Sequence, residues 1–259
     1  MRAYVAVLMA GLVVRSFAMD SLDQWSAKIW SRTLPAAKDS AFIILKQDGS
    51  GSFTKATARS LYKYNTDGSF TEEYSGPEET SHSEFLKNGR LASSRTDNSK
   101  AKKTYNVAVS PDRGRASFRT EAMGEKPSVK DFAMKPSTIV MTEYVNLIRS
   151  AWQSGLRGAF SFKGLPPDGS MEIEMETRLV ETNAPWELND KYEFPSEFKA
   201  AFLDSRKYVV ADFSLGGLFS VMYRFHNYWI FRVAPSGLEY VGSFGGDPKK
   251  AAFAYIIEK

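Results

Sequence analysis

The chain has 259 residues, is 43% apolar and contains no cysteine. That length suits one large β-rich domain, and that apolar fraction lies outside the disordered class. Without cysteine there is no disulfide framework, thiolate metal site or cysteine nucleophile. The formal charge of +4 drops to +2 without Arg2 and Arg15, too weak a basic balance to argue for nucleic acid.

Residues 1–18 have the order of a secretory signal. Arg2 precedes the apolar run Ala3 to Val14, and Ser16-Phe17-Ala18 places small residues at a cleavage site. The expected organisation is therefore a signal peptide, 1–18, followed by a single β-rich domain, 19–259. The expected location is periplasmic or secreted, with a mature chain that is soluble.

Past that point, Ser21 to Gln24 has capping-box spacing, and Leu22, Trp25 and Ile29 share one side of a short helix. Ala41 to Gln47 is a continuous apolar run, as in a strand covered on both faces. Phe53 to Tyr64 and Ser69 to Ser75 follow as strands, with Phe70 and Tyr74 on one side. Asn88-Gly89 marks a hairpin between Ser83–Lys87 and Arg90–Thr96. After a polar loop over 97–103, Tyr105, Val107 and Val109 alternate with Thr104, Asn106 and Ala108. Ala116, Phe118 and Thr120 then alternate with Arg115, Ser117 and Arg119, which completes a hairpin with one buried face. Residues 123–135 read as a connector.

Residues 137–154 are the one long helical pattern. Val140, Met141, Tyr144, Leu147, Ile148, Ala151 and Trp152 share an apolar face. Thr142, Glu143, Asn146, Arg149, Ser150 and Gln153 gather opposite. Beyond it, Phe160 and Phe162 share a side, and Ile173, Met175 and Leu179 alternate with Glu172, Glu174, Glu176 and Arg178. A short helix is expected over 196–204. A meander of strands over 207–215, 218–225, 228–234 and 238–244 follows, with His226-Asn227 as a turn. Either a terminal helix from Asp247-Pro248 or a closing strand over 253–257 ends the chain. The fold class is α+β and mainly β: a strongly curved antiparallel sheet, half-barrel or clam-like, with the central amphipathic helix 137–154 and short flanking helices.

Little in the sequence points to catalysis. His82 and His226 are the two histidines, and residues adjacent on a strand face opposite ways, so Thr-Ser-His-Ser-Glu makes no triad. Metal-ligand spacing is absent, the Glu172–Glu176 row reads as a wet face, and no cofactor is expected. Two surfaces remain. Large inward side chains, Met141, Tyr144, Ile148, Trp152, Phe160, Phe162, Met175, Met222, Tyr223 and Trp229, are the expected lining of a cavity between sheet and helices. There the soft methionines would adapt to varied acyl chains. Lys100, Lys102, Lys103, Arg113, Arg115 and Arg119 are the expected interaction surface, suited to anionic headgroups or an acidic partner.

An N-terminal helix, a run of antiparallel strands, a helical interruption and further strands, all behind a signal peptide, resemble the periplasmic LolA/LolB lipoprotein-carrier fold. The resemblance covers most of residues 20–245 as an order of elements, without a diagnostic motif. It implies a half-open barrel, lidded by helices, that receives acyl chains. The expected function is a non-enzymatic protein that binds a hydrophobic or lipid-like ligand, or a lipidated partner, between sheet and helices, with peripheral membrane contact. The alternative is an envelope protein-interaction module with a filled core.

Overall fold

The computed structural model describes residues 20–204, 206–216 and 226–257. The expected signal segment, the expected strand 218–225, Met222 and Tyr223 lie outside the described residues. In chain order the first half comprises β1 (Asp20–Ser21), α1 (Leu22–Ile29), β2 (Ser40–Gln47), β3 (Phe53–Tyr64), β4 (Phe70–Ser75), β5 (Glu79–Phe85), β6 (Leu91–Asn98), β7 (Lys103–Val109), β8 (Arg115–Ala122) and β9 (Ser128–Ala133). Next come β10 (Thr138–Val140), α2 (Tyr144–Gln153), β11 (Gly158–Leu165) and β12 (Ile173–Thr182). The last part holds α3 (Ser196–Ala200), β13 (Tyr208–Leu215), β14 (His226–Ala234), β15 (Gly237–Gly245) and β16 (Ala252–Ile256).

All these strands join one sheet. Its order runs β11 to β16 in sequence, then β2 to β9, so the two halves of the chain meet where β16 pairs with β2. β1 and β10 add parallel to the outer side of β11, and every other pairing is antiparallel. Twist curls the sheet until its last strand approaches its first: Lys130 Nζ of β9 donates to the Ser170 carbonyl at 3.3 Å, beside the β11–β12 turn. The result is barrel-like, with an inner and an outer face along every strand.

α2 lies across one end of this barrel, the base. Tyr144, Leu147, Ile148 and Ala151 pack on Phe160, Phe162, Met175, Leu179, Val209 and Phe231. Each such side chain removed from water contributes about 1.5–3 kcal/mol. A second apolar cluster, Phe70, Phe85, Leu91, Val107, Phe118 and Leu165, fills the base beneath the other half of the sheet. The third lies outside the barrel, where residues 185–202 cover β13–β16 and β2. Tyr192, Phe198 and Phe202 bury there against Tyr228, Phe244 and Phe253, and the Phe194 ring sits 4.8 Å from that of Phe244. This second cover explains why β2 is apolar on both faces.

The central helix differs from expectation. It spans ten residues and starts at Tyr144, because Thr138–Val140 pair as a strand with β11 and Met141–Glu143 form a single 3-10 turn. Glu143 reaches back to accept from Val140 N at 3.2 Å, so the turn is capped there. Nor is the helix amphipathic in its setting. Its polar side is buried as deeply as its apolar one, with Glu143, Asn146, Arg149 and Ser150 all under one-tenth exposed. Two further expectations give way. Residues 128–133 form edge strand β9 rather than a connector, and His226-Asn227 open β14 rather than turn. His226 Nδ1 lies 2.8 Å from Asp212 Oδ1 on the neighbouring strand. At the C-terminus a single 3-10 turn, Pro248–Lys250, leads into closing strand β16.

Candidate ligand-binding lumen

On β4, β5, β12 and β14 the inward side chains become less buried from base to mouth, whereas on β3 Ala58 and Ser60 are buried above a partly exposed Tyr62. On β4, Phe70 is buried while Glu72 and Tyr74 keep partial exposure; on β5 the order is Phe85 and Ser83 buried, then Ser81 and Glu79 partly exposed. β12 gives Leu179, Thr177 and Met175 buried with Ile173 partly exposed, and β14 gives Phe231 buried with Trp229 and Asn227 partly exposed. Alternation places all of these on one face, so the gradient describes a cup. Its floor is α2 with the base clusters, and water reaches its middle level.

The floor is fixed by charge. Glu143, wholly buried, accepts from Leu91 N at 2.6 Å and from Arg113 Nη2 at 2.8 Å, and lies 3.2 Å from Arg90 Nε. Arg90 also donates to the Thr138 carbonyl at 3.1 Å and stacks 4.3 Å over the Trp30 ring. Gly89, in the adjoining turn, has a φ of +83°, and a Cβ there would collide with Leu34 and Asn146. Only glycine fits both demands.

Just above the floor lies a polar and aromatic group. The Glu72 carboxylate accepts from Tyr62 Oη at 2.8 Å, with the Ser60 hydroxyl close enough to help hold its charge. No lysine, arginine or histidine among the described residues forms an ion pair with it. Burial raises the Glu72 pKa above the usual carboxylate range, against the lowering pull of those hydroxyls and of Arg149. Tyr240 stands across the lumen, its ring 5.5 Å from Trp229 and 5.7 Å from Phe42, its hydroxyl donating to Ser243 Oγ at 3.1 Å. Burial pushes Tyr240 up to about 12, with Tyr74 and Glu72 adding to the rise. Arg149, 5% exposed, donates to the carbonyls of Leu238 at 3.1 Å and Pro35 at 2.6 Å. Burial lowers its pKa, and the surrounding tyrosines with Glu239 and Glu72 oppose that.

The expected lining residues divide. Tyr144, Ile148, Phe160, Phe162 and Met175 are packed core, and Tyr144 Oη is bonded to Thr177 Oγ1 at 2.8 Å. The space between helix and sheet is thus filled at these positions. Met141 and Trp229 keep partial exposure towards the lumen. Trp152 is half-buried at the base beneath the Arg157 guanidinium, 3.4 Å from the ring centroid.

The expected basic surface divides as well. Lys100, Lys102 and Lys103 sit at the mouth end of β7, whereas Arg113 and Arg115 sit at its base end. Seven extended residues separate the two sets by roughly 20 Å, so they form no single patch. Arg113 points inward to Glu143, Arg115 pairs with Asp131, Arg119 with Glu121 at 2.9 Å, and Lys100 with Glu78 at 3.6 Å. Near the mouth a depression of about 740 Å³ is lined by Lys102 and Lys103 but also by Glu79, Asp97 and Glu121. His82 faces outward, 3.8 Å from Glu73.

Sequence reasoning passed over Glu72, Tyr62, Tyr240, Arg149 and Glu143 as site residues. For Glu72 a signal existed: it lies between Phe70 and Tyr74 on the same strand face, an acid on an aromatic row.

No family model matches the sequence, and no curated protein matches it. Among solved structures, the fold is similar to a β-barrel-like protein of the domain of unknown function DUF1849 from Brucella abortus. That likeness has 7% identity and a TM-score of 0.51, and covers 88% of this chain and 98% of that one. It establishes a β-barrel-like fold. A DUF3598 protein from Nostoc punctiforme aligns over 91% of this chain and 99% of its own at 7% identity, but its TM-score of 0.15 carries no argument.

Proposed function

We propose that this protein is a non-enzymatic periplasmic or secreted carrier. It takes a hydrophobic or lipid-like ligand, or the acyl chain of a lipidated partner, into the lumen above α2. The observation that carries this reading is the burial gradient, because a sealed core would bury its inward aromatics from end to end. Here Tyr62, Tyr74, Tyr105, Trp229 and Tyr240 keep partial exposure on the concave face. Pockets for small amphiphiles have this composition, mostly aromatic walls with a few placed polar groups. The order of elements shared with the LolA/LolB carriers supports the same reading, as does the signal-like order of residues 1–18.

Native mass spectrometry on protein prepared from its own host, before and after delipidation, tests the proposal. A lipid that co-purifies, leaves and rebinds is the expected result. A chain that neither carries nor rebinds lipid overturns it.

A further inference from the structure

We propose that the lumen selects amphiphiles with a cationic head group, an ammonium that rests against Glu72 among the rings of Tyr62, Tyr74 and Tyr240. This rests on the carrier reading above and narrows it to a ligand class. Three observations carry it. Glu72 faces the lumen, keeps part of its surface in contact with water, and is held by the Tyr62 hydroxyl rather than by an ion pair with a basic side chain. A half-buried carboxylate that forms no ion pair, and is attracted by an Arg149 already bonded to two backbone carbonyls, gains from a cation brought to it.

The neighbours are aromatic: Tyr62 bonds the carboxylate directly, Tyr74 projects from the same strand face, and Tyr240 with Trp229 forms a wall across the lumen. Ring faces attract cations, and a carboxylate among aromatic rings is the usual recognition chemistry for alkylammonium groups. An anionic head has a weaker claim. Among the described residues the cation that acts on Glu72, Arg149, is 5% exposed and already donates to the Leu238 and Pro35 carbonyls. The ligand's apolar chain would lie along Met141, Ile173 and Trp229, which keep exposed surface beside the packed core.

Isothermal titration of the protein with dodecyltrimethylammonium, dodecyl maltoside and dodecanoate, each below its micellar concentration, tests the assignment. The wild type should bind the ammonium roughly tenfold tighter than the maltoside. Glu72→Gln should erase that preference and keep maltoside binding. Glu79→Gln, the same loss of charge nearer the mouth, should leave the preference intact. Three results overturn the inference: a preference that survives in Glu72→Gln, one that Glu79→Gln removes equally, or dodecanoate bound tighter than the ammonium. In each the carrier reading stands as long as the maltoside binds. If none of the three amphiphiles binds, the carrier reading fails and this inference fails with it.

Discussion

Two inward-facing glutamates on the same barrel have opposite surroundings. Glu143, at the base, has no exposed surface, accepts from two backbone N–H groups and faces two arginines. Glu72, one level higher, keeps a partly wet surface and accepts from the Tyr62 hydroxyl. Burial of a carboxylate is costly unless charge and hydrogen bonds compensate it. At Glu143 the compensation is complete, and the residue ties the β5–β6 turn, the β7–β8 turn and the start of α2 into one floor. At Glu72 it is incomplete, and the residue is left available. The comparison separates a charge that holds the fold from a charge that can meet a ligand.

The largest effect is expected at the floor. Glu143→Ala leaves Arg90 and Arg113 facing each other without their carboxylate, and removal of one partner from a buried ionic group costs about 3–5 kcal/mol. A urea melt should show a lower midpoint with an unchanged slope. A midpoint near that of the wild type would mean that the floor is held by packing alone. Next comes Leu147→Ala, which opens a cavity at a wholly buried position of α2 and should cost about 2–5 kcal/mol in the same melt. Trp152→Ala removes a larger ring but a half-buried one, so its cost should fall below that of Leu147→Ala. The reverse order would mean that the helix turns a different side to the sheet. Smaller again is Tyr144→Phe, which deletes the bond to Thr177 Oγ1 and leaves that hydroxyl buried. About 1–3 kcal/mol is expected, because the Thr177 hydroxyl stays buried without its partner.

How much of this was legible depends on whether a contact is local. Strict alternation in β7, β8 and β12 assigned the inner and outer faces correctly, because the period of a strand is written in its own residues. The apolar run of β2 announced cover on both faces, although nothing local named residues 185–202 as the outer cover. Val140 and Met141 continue the apolar periodicity of α2, which makes the helix read too long. The β-branched side chains of Thr138, Ile139 and Val140 also suit a strand, and pairing with β11 decides between the two. β9 escaped notice because an edge strand with both faces largely exposed shows little pattern. The polar side of α2 looked like a wet surface since the groups that bury it, Arg90, Pro35 and Leu238, lie 50 or more positions away in sequence. Pairing of β16 with β2, the step that unites the two halves into one barrel, has no sequence signature at all.

The smallest expected effect carries the most information about the upper site. Burial raises the pKa of Glu72 in the folded state above its unfolded value. Between those two values the folded chain binds the proton more strongly than the unfolded chain, so stability falls as pH rises through them. Below the unfolded value both states are protonated and Glu72 adds no penalty; above the folded value the penalty is fully present. Glu72→Gln removes the titrating group and keeps an acceptor oxygen for Tyr62. The variant should therefore melt at slightly higher temperature than the wild type at neutral pH, and the advantage should shrink on acidification. Glu143→Gln, by contrast, should be less stable than the wild type at neutral pH, because its carboxylate is the partner of two arginines. Paired melts of the two variants across pH read this difference directly. Should Glu72→Gln lose stability at neutral pH as Glu143→Gln does, Glu72 would belong to the framework, and the upper level of the lumen would hold no free charge for a ligand.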